Sequence, residues 1–381
     1  MKHNWEYKRL GDVCTLKVGG DKPSDISEIR KTDKNIPIYS NGIENEGLYG
    51  YCNCPTILEP AVTISGRGTL GVPFIRKEPF VPIVRLIVAI PNELLSLEYL
   101  YYWVLHRKFS GNGVAVPQLT VPMIKNEAIP IPPNEIQEQI VAELDKINEV
   151  IADCRELLRK LDVLAKSLFY DYFGDPVTNS RGWNTLPLKE LSTLITNGTT
   201  PKGGQAVYVD SGLMFFRSQN VWRNHIIYDD IVYLDESTNA SMKGSMLKHN
   251  DILITKTGRI NTENSSLGRS ALFTGEDDTA NINGHVYLVR LDGSIEPRFV
   301  LSILLTDSYR DLIRKVCVGA IDKRQLNLTH IQQFPIILPP LELQRKYVRS
   351  IEAIERQKVT IEETIKKMQT LLDSRMDYWF N

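Results

Sequence analysis

The stretch Pro132–Gln137 (PPNEIQ) recurs as Pro339–Gln344 (PPLELQ), 207 residues further along the chain. The same offset continues without a gap for about 36 residues, to Tyr172–Phe173 in the first copy and Trp379–Phe380 in the second. Internal repeats of this length indicate that one structural unit is present twice. The absence of gaps predicts that the repeated segment has the same length in both copies.

The globular part of each copy precedes this segment. Trp5 and Leu10 match Trp183 and Leu188 at an offset of 178, which makes the second globular part about 29 residues longer than the first. We predict four consecutive parts: a first domain at 1–133, a central helix at 134–176, a second domain at 177–335 and a C-terminal helix at 336–381.

The repeated segments have the heptad periodicity of coiled coils, with apolar residues at alternating steps of four and three. The two predicted seams are Ile140, Leu144, Ile147, Ile151, Cys154, Leu158, Leu161, Ala165 and Leu168, and Tyr347, Ile351, Ile354, Lys358, Ile361, Ile365, Met368, Leu372 and Arg375. Lys358 and Arg375 are the polar members, and their long apolar stems suit a seam. A polar seam residue can also fix helix register, and both interpretations remain open.

The ends of the first helix carry their own signals. Asn134 is predicted to cap it, with Gln137 reaching back in a capping box, and Gly174-Asp175-Pro176 is predicted to end it. A helix of about 40 residues is about 60 Å long, so it is a rigid spacer. If the helices pair, they run antiparallel, and the chain closes into a pseudo-two-fold dumbbell with an aromatic helix end packed against each domain.

The globular parts have the pattern of mixed α/β (α+β) domains. Predicted strands include residues 61–64, 84–88 and 251–255, and Gly-rich turns follow at 65–68 and 197–204. Short helices are predicted near 97–110 and 296–316.

Composition restricts the class of protein. The chain of 381 residues is 42% hydrophobic and 24% charged, and its net charge is −1. No run of about 18 apolar residues predicts a membrane span, and the N-terminus does not resemble a signal peptide. Five scattered cysteines, including Cys52-Asn53-Cys54, indicate neither a disulfide framework nor a zinc knuckle and favour a reducing cytoplasm. Residues 134–176 carry 5 basic and 10 acidic groups, so the first helix is not expected to contact a polyanion.

The sequence lacks the common catalytic motifs. It has no phosphate-binding Gly-x-x-x-x-Gly-Lys-Ser/Thr loop, no His-Glu-x-x-His, no Gly-x-Ser-x-Gly and no Asp/Asn-Pro-Pro-aromatic tetrapeptide. The six histidines have no metal-ligand spacing. We therefore expect no catalytic residue, no metal and no cofactor in this chain, which disfavours an autonomous nuclease or methyltransferase.

Two similar domains held apart by a rigid axis suit duplex DNA, in which half-sites are spaced by helical geometry. Arginine and glutamine in Gly-rich loops can reach phosphates or base edges, and glycines permit close backbone approach. The predicted DNA-binding residues are Lys17, Lys22, Arg67, Gln118, Lys202, Arg217, Gln219, Asn220, Lys256, Arg259, Arg269, Lys323, Arg324 and Gln325.

An isolated cation in a Gly-rich loop is usually solvated surface. The interpretation as a DNA contact is stronger for residues at matched places in both copies, which we take to be Arg67 with Arg259 and Gln118 with Gln325. Near-neutral domains also predict that localised patches or a basic partner supply much of the affinity. The alternative function is a non-catalytic coiled-coil scaffold whose two domains bind proteins or glycans.

Taken together, these motifs resemble the specificity (S) subunit of type I restriction–modification enzymes. The resemblance rests on the Trp and Leu that open each domain, the Pro-Pro-x-x-x-Gln that opens each helix, and the helix end Leu168–Gly174. It extends over essentially the whole chain. One departure is Leu341, which stands where the first helix has Asn134 and predicts a weaker cap.

The resemblance implies that each domain is a target-recognition domain for one half of a split, asymmetric DNA site. It implies that the helices set the spacer and dock two methyltransferase (M) subunits, which use S-adenosylmethionine to methylate adenine at N6. Separate restriction (R) subunits would cleave DNA with ATP and Mg²⁺. No membrane partner is expected.

Overall fold

The computed structural model describes residues 4–109, 117–260, 262, 264–320 and 323–381. It divides into two compact units: the first comprises Met1–Leu157 and Thr360–Asn381, and the second comprises Leu158–Val359. Two helices of 40 residues, α4 (Asn134–Phe173) and α9 (Leu341–Phe380), each contribute to both units. No described helix is long and apolar enough to cross a membrane.

The first unit is a mixture of short strands and helices. Its strands are β1 (Glu6–Arg9), β2 (Cys14–Val18), β3 (Ile36–Tyr39), β4 (Leu48–Cys52), β5 (Ala61–Ile64), β6 (Pro73–Arg76), β7 (Val81–Pro82), β8 (Ile87–Pro91) and β9 (Ala128–Ile131). Its shorter helices are α1 (Leu10–Val13), α2 (Leu97–Arg107) and α3 (Val121–Ile124).

Three sheets organise these strands, in the orders β2-β8-β5-β6, β4-β3-β7 and β1-β9. In the largest sheet every neighbouring pair is antiparallel, and Val62 of β5 lies opposite Ala89 of β8. All four residues of β5 are buried, as its apolar sequence predicts for a central strand. Helix α2 supplies the fully buried Tyr99 and Trp103 to the same core as this sheet.

The second unit has more elements. Its strands are β10 (Thr185–Pro187), β11 (Ser192–Asn197), β12 (Tyr208–Val209), β13 (Leu213–Phe216), β14 (Val232–Leu234), β15 (Ile252–Thr255), β16 (Thr257–Gly258), β17 (Ser270–Leu272), β18 (Ala280–Ile282), β19 (Val286–Leu291), β20 (Val318–Ala320), β21 (Lys323–Gln325) and β22 (Pro335–Ile337). Its shorter helices are α5 (Glu236–Ala240), α6 (Pro297–Leu305), α7 (Asp307–Val316) and α8 (Leu328–Gln332).

The second unit repeats the strand order of the first. Its sheet β11-β19-β15-β17 corresponds to β2-β8-β5-β6, and β14-β13-β18 corresponds to β4-β3-β7, including the parallel pair at its edge. The pair β10-β22 corresponds to β1-β9, and the pair β16-β21 of the sheet β16-β21-β20 corresponds to an isolated antiparallel bridge between Arg67 and Gln118 in the first unit. The repeat detected in the helices therefore extends through both globular parts.

The predicted coiled-coil seams are confirmed, since every seam position is buried or half-buried. In the second unit the helices run antiparallel: the ring of Phe173 lies 5.1 Å from that of Tyr347, and Asp162 contacts Lys358 with 2.6 Å between Oδ1 and Nζ. Helix α4 ends at Phe173, and Gly174 follows with φ +73°, which confirms the predicted stop.

In the first unit the C-terminal part of α9 packs against Trp5, α2 and α4. Trp379 stacks on Trp5 with 6.0 Å between ring centroids, and Phe380 contacts Tyr99 at 5.3 Å. The other polar seam residue, Arg375, forms an ion pair with Glu143, whose carboxylate also accepts a hydrogen bond from Trp379 Nε1 at 2.9 Å. The predicted aromatic anchor is therefore present, and both polar seam residues pair with carboxylates.

The predicted capping box at Asn134 is wrong. Gln137 is fully buried, and its side-chain oxygen accepts a hydrogen bond from the Ser96 N–H at 2.8 Å. Its amide nitrogen donates to the carbonyls of Leu94 and Pro132, at 2.8 and 2.9 Å. This glutamine therefore links the helix start to the loop that precedes α2.

Gln344 occupies the matching place in the second unit, where its side chain accepts from the Glu296 N–H at 3.1 Å and donates to Pro339. The weaker cap expected from Leu341 therefore matters less, because tertiary hydrogen bonds from glutamine hold both helix starts.

Other local predictions have mixed outcomes. The short helices are confirmed as α2 and as the pair α6 and α7, although Ser110 lies outside the described residues. The strand predicted at 84–88 is displaced, because β8 begins at Ile87 and residues 84 and 85 form a turn. All five cysteines are free thiols, as predicted.

Candidate nucleic-acid interface

A cleft of about 710 Å³ opens at one end of the first unit's main sheet. Strands β2 and β5 end there and β8 begins there, because Val18 and Ile64 both lie opposite Ile87. The loops that leave these strands form the walls, together with the segment leading into α3. The residues that line the cleft are Val18, Gly19, Gly20, Asp21, Lys22, Gly66, Arg67, Val84, Arg85, Ile87, Gln118, Leu119, Thr120, Val121 and Pro122.

The cleft carries more positive than negative charge. Lys22, Arg67 and Arg85 line it with a single carboxylate, Asp21. Lys22 Nζ lies 3.1 Å from Tyr49 Oη, whereas Arg67 Nε is buried without a hydrogen-bond partner among the described residues. Cations on the walls of a concave surface concentrate a positive potential.

Arg67 and Gln118 are brought together by backbone pairing. They form an isolated antiparallel bridge, and the adjacent Leu119 N–H donates to the Gly66 carbonyl at 3.0 Å. A Cβ on Gly66 would lie 2.9 Å from the Leu119 carbonyl oxygen, so this approach requires glycine. Two residues chosen from separate sequence motifs are therefore neighbours on one wall.

A turn with unusual backbone geometry also lines the cleft. Val84 and Arg85 are both left-handed, with φ of +53° and +61°. This region is strongly disfavoured for a β-branched residue, and each such residue costs about 1–3 kcal/mol. The turn persists because its N–H groups donate to Gly20 and Gly19, at 2.9 and 3.0 Å.

Asn41 connects this turn to Gly66. Its amide nitrogen donates to the Val84 carbonyl at 2.7 Å, and its side-chain oxygen accepts from the Gly66 N–H at 2.7 Å. The sequence analysis missed both Asn41 and Arg85. Arg85 was hidden in an apolar run that suggested a strand, and no local pattern marks a hydrogen bond between residues 41 and 84.

The second unit has an equivalent sheet edge with different side chains. The Leu326 N–H donates to the Lys256 carbonyl, and this bond corresponds to the one from Leu119 to Gly66 in the first unit. Thr257 lies opposite Gln325, just as Arg67 lies opposite Gln118. The predicted match of Gln118 with Gln325 is confirmed. The predicted match of Arg67 with Arg259 is wrong, because the strand register places Thr257 at the position of Arg67; Arg259 is exposed two residues later.

Three neighbouring residues of the second unit that were predicted to bind DNA form hydrogen bonds with Asp230. Arg217 pairs with the Asp230 carboxylate at 2.9 Å, and Gln219 Nε2 donates to the same carboxylate at 2.8 Å. These hydrogen bonds, that of Gln219 first, lower the pKa of Asp230. Asn220 is 1% exposed, accepts from the Arg217 N–H, and donates to the carbonyls of Ile227 and Asp230. The structure therefore corrects the prediction for Asn220, which holds its loop from inside.

Arg269 is a second correction. Its residue is 9% exposed, its guanidinium carbon lies 3.5 Å from the centre of the Trp222 ring, and its Nε donates to the Ser265 carbonyl at 3.1 Å. Burial and, to a smaller extent, the charge of Arg223 lower the pKa of Arg269 to about 10, so it stays charged at neutral pH. The buried position makes it a packing residue.

The remaining candidates lie at the surface of their units. Lys17 on β2, Lys202 after β11 and Lys323 on β21 are exposed. Lys256 is half-buried, with Nζ 5.9 Å from the Tyr287 ring centre, and Arg324 donates to the Cys317 carbonyl at 3.3 Å. Among the described residues, no group of three or more His, Cys, Asp or Glu side chains is placed to hold a metal ion.

Two similar units with long helices are a feature that can be compared with known protein families. The chain belongs to the type I restriction–modification DNA specificity family, whose domain model matches residues 2–161 and 180–368.

The chain is 32% identical over 173 residues to a type I specificity subunit of Mycoplasma pneumoniae, a match that covers 44% of this chain and 52% of the relative. A second M. pneumoniae specificity subunit is 31% identical, over 43% of this chain and 47% of its own length. The chain thus matches about half the length of these relatives. It is also 21% identical to the specificity subunit of the MjaVIII type I restriction enzyme of Methanocaldococcus jannaschii, over 98% of this chain and 92% of the relative.

Two solved structures share the fold. The type I restriction–modification S subunit of M. genitalium has a TM-score of 0.59 at 14% identity, over 99% of this chain and 96% of its own. A chain from a structure on complex assembly and conformational transition of the type I restriction–modification system has a TM-score of 0.60 at 19% identity, over 99% and 97%. At these identities the likeness concerns the fold alone.

Proposed function

We propose that this chain is the DNA-recognition subunit of a type I restriction–modification complex, and that each unit reads one half of a bipartite, asymmetric site. The observation that carries the proposal is the repeated sheet edge. Both units present loops at equivalent strand ends, yet the side chains differ: Arg67 corresponds to Thr257, and Gly66 to Lys256. A common frame with different polar groups suits the reading of two different half-sites.

In this proposal α4 and α9 set the distance between the half-sites and dock two methyltransferase subunits. Each helix has 40 residues, about 60 Å of rigid length. Exposed apolar side chains on the helices, such as Val163, Leu164 and Val359, favour a partner surface. The chain itself is non-catalytic. Its partners would supply adenine-N6 methylation with S-adenosylmethionine and DNA cleavage with ATP and Mg²⁺, in the cytoplasm.

The primary test is DNA selection by the chain together with its cognate methyltransferase subunits. From a duplex library with random sequence, the complex is expected to select two short motifs separated by a spacer of constant length. Arg67→Ala is expected to weaken binding at least tenfold, because it removes a cation from the cleft. Arg30→Ala is the matched control, since Arg30 is an exposed arginine of the same unit that pairs with Glu78 outside the cleft.

No sequence preference by the wild-type complex would refute the proposal. Equal effects of Arg67→Ala and Arg30→Ala would refute the role of the cleft. A protein or glycan partner that binds the chain while both arginine variants retain full DNA affinity would favour the scaffold alternative. Methyl transfer by the isolated chain would refute the non-catalytic assignment.

The spacer role has a geometric test. A heptad inserted in α4 after Leu157, and another in α9 after Val359, keeps the seam in phase and lengthens both helices by about 10.5 Å. At 3.4 Å per base pair, the selected spacer is expected to lengthen by about three base pairs, with both half-site motifs unchanged. An unchanged spacer in a folded variant would contradict the assignment.

A further inference from the structure

The left-handed turn at Val84–Arg85 has a strained backbone at the mouth of the charged cleft. Its two φ angles, +53° and +61°, belong to non-glycine residues, one of them β-branched. Three sets of contacts impose the geometry: the carbonyls of Gly19 and Gly20 accept its N–H groups, Leu86 N–H donates to Ile83, and Asn41 donates to the Val84 carbonyl. Strain that the surroundings impose at a binding cleft is typical of functional pre-organisation.

The strain is specific to the first unit. In the first unit, the Leu86 N–H donates to the Ile83 carbonyl, and the Gly19 N–H donates to the Leu86 carbonyl. In the second unit, the Val286 N–H donates to the Asn283 carbonyl, and the Gly198 N–H donates to the Val286 carbonyl. These bonds place Gly284 and His285 at the positions of Val84 and Arg85, and neither has a left-handed φ. The glycine, which could adopt this conformation at no cost, therefore stands where the conformation is absent.

This geometry discriminates between two kinds of DNA contact. A phosphate contact needs only a positive charge within reach, and the exposed Lys22 or Lys17 provides one. Base reading needs a side chain whose backbone is held in place, because two hydrogen bonds must meet the base edge together. Arg85 is exposed, lines the cleft beside Gln118 and Arg67, and starts from a turn tied down on both sides.

We propose that Arg85 is a specificity-determining residue of the first unit, which reads a guanine through O6 and N7, and that Asn41 is its positioning residue. The inference rests on the proposed function and adds the identity of one reading residue and its base. Asn41 acts through the turn: its amide joins the Val84 carbonyl to the Gly66 N–H, next to Arg67.

The experiment compares motifs selected by the complex of this chain with its methyltransferase subunits, for the wild type and for Arg85→Ala, Arg85→Lys and Asn41→Ala. Arg85→Ala is expected to lower the preference for guanine at one position of one half-site by about tenfold to about a hundredfold. The other half-site and the spacer stay unchanged. Arg85→Lys is expected to lose most of the same preference, because lysine keeps the charge but lacks the planar fork.

Asn41→Ala is expected to weaken the preference at the same position, and Arg30→Ala is the control that leaves every position unchanged. Asn41→Asp keeps the acceptor for Gly66 and removes the donor to Val84, so it tests the bond to the turn. Val84→Gly is expected to reduce discrimination without lowering the melting temperature, since glycine accepts the left-handed φ and loosens the turn. Arg85→Gly removes the side chain without backbone strain, should Arg85→Ala fold poorly.

The outcomes separate the two levels of inference. A wild-type complex that selects no bipartite site refutes the proposed function. A wild-type complex that selects one, with an identical motif for Arg85→Ala, overturns only the role of Arg85. Uniform weakening across all sequences with a smaller dependence on salt would show a phosphate contact and would also overturn it. An unchanged motif for Asn41→Ala overturns the positioning role.

Discussion

The first and second units share a backbone frame but differ at one edge of their main sheets. Four strands follow the same order in each, and a buried glutamine holds the start of the following long helix in each. At the sheet edge, Arg67 and Arg85 of the first unit correspond to Thr257 and His285 of the second. The frame depends on apolar packing and backbone hydrogen bonds, which tolerate few changes. The loop side chains contribute little to that packing, so they are free to differ.

Equivalent positions in the two units must be assigned by strand register. When the two copies of the repeat are aligned by sequence, Arg259 falls near Arg67. Strand register shows instead that Thr257 is equivalent to Arg67, and Arg259 follows two residues later. Substitutions at frame positions should therefore have equal effects in both units, whereas substitutions at the sheet edge should not.

The largest expected effect concerns the aromatic residues that end the long helices. Phe173 and Phe380 are matched at the offset of 207 and are 0% and 5% exposed. Phe173→Ala and Phe380→Ala should each lower the free energy of unfolding of their unit by about 3–5 kcal/mol, because each leaves a cavity among aromatic rings. Denaturant titration measures both. A loss below about 1 kcal/mol in either unit would break the equivalence of the two frames.

The glutamines at the helix starts should have the next largest effect. Gln137→Ala and Gln344→Ala each leave a loop N–H and a prolyl carbonyl without their buried partners, which should cost about 1–3 kcal/mol. Gln139→Ala and Gln357→Ala, at exposed positions of the same helices, are the controls and should change the free energy of unfolding by less than about 0.5 kcal/mol. If a glutamine variant and its control lost equal free energy of unfolding, the buried glutamines would not be what stabilises the helix starts.

Arginine variants sharpen the distinction between frame and sheet edge. Arg269→Ala should lower the free energy of unfolding by about 1–3 kcal/mol, since it removes the contact with Trp222 and a hydrogen bond to Ser265. Arg67→Ala should leave the melting temperature almost unchanged and reduce DNA binding instead. The interpretation fails if Arg269→Ala is as stable as the wild type.

The smallest effect is a pH dependence at the polar seam contact of the first unit. The hydrogen bond from Arg375 lowers the pKa of Glu143 from its ordinary value of 4.5, and Trp379 adds to this. A carboxyl group with a lowered pKa stabilises the folded state above pH 4.5 and loses that contribution as the pH falls through the folded-state pKa. Glu143 is part-exposed, so the contribution is at most about 1 kcal/mol.

Glu143→Gln should therefore melt below the wild type at pH 7, and the difference should shrink as the pH falls from 4.5 to 3. Asp162→Asn, which removes the carboxylate that pairs with Lys358 in the second unit, provides the comparison at pH 7. A difference for Glu143→Gln that stays constant from pH 7 to pH 3 would contradict the electrostatic origin.

Much of the fold could be predicted because it depends on periodic and repeated patterns of residues along the sequence. The heptad period predicted both helices and their seams, since a period near 3.5 leaves one consistent face to bury, and Gly174-Asp175-Pro176 predicted the end of the first helix. The ungapped offset of 207 identified the duplication and matched Gln118 with Gln325. The capping box failed because Gln137 had a stronger alternative: three buried backbone groups from the loop before α2 and from the Pro-Pro turn.

The candidate site was less accessible to sequence reasoning. Arg67 and Gln118 were found because each stands in a recognisable motif. Asn220 and Arg269 were chosen by residue type, but exposure depends on which chain segments cover a side chain, and Asp230 and Trp222 lie at other places in the sequence.

The duplicated architecture, the helix lengths and the kinds of side chain in the sheet-edge loops follow from the amino-acid sequence alone. Periodicity and repetition are properties of neighbouring residues, so they survive without coordinates. Which side chains line the cleft is visible only in the folded chain, because it depends on strand register and on contacts between distant loops. Asn41 meets Val84 and Gly66 only after β3, β5 and β8 have assembled, and Arg85 lines the cleft for the same reason.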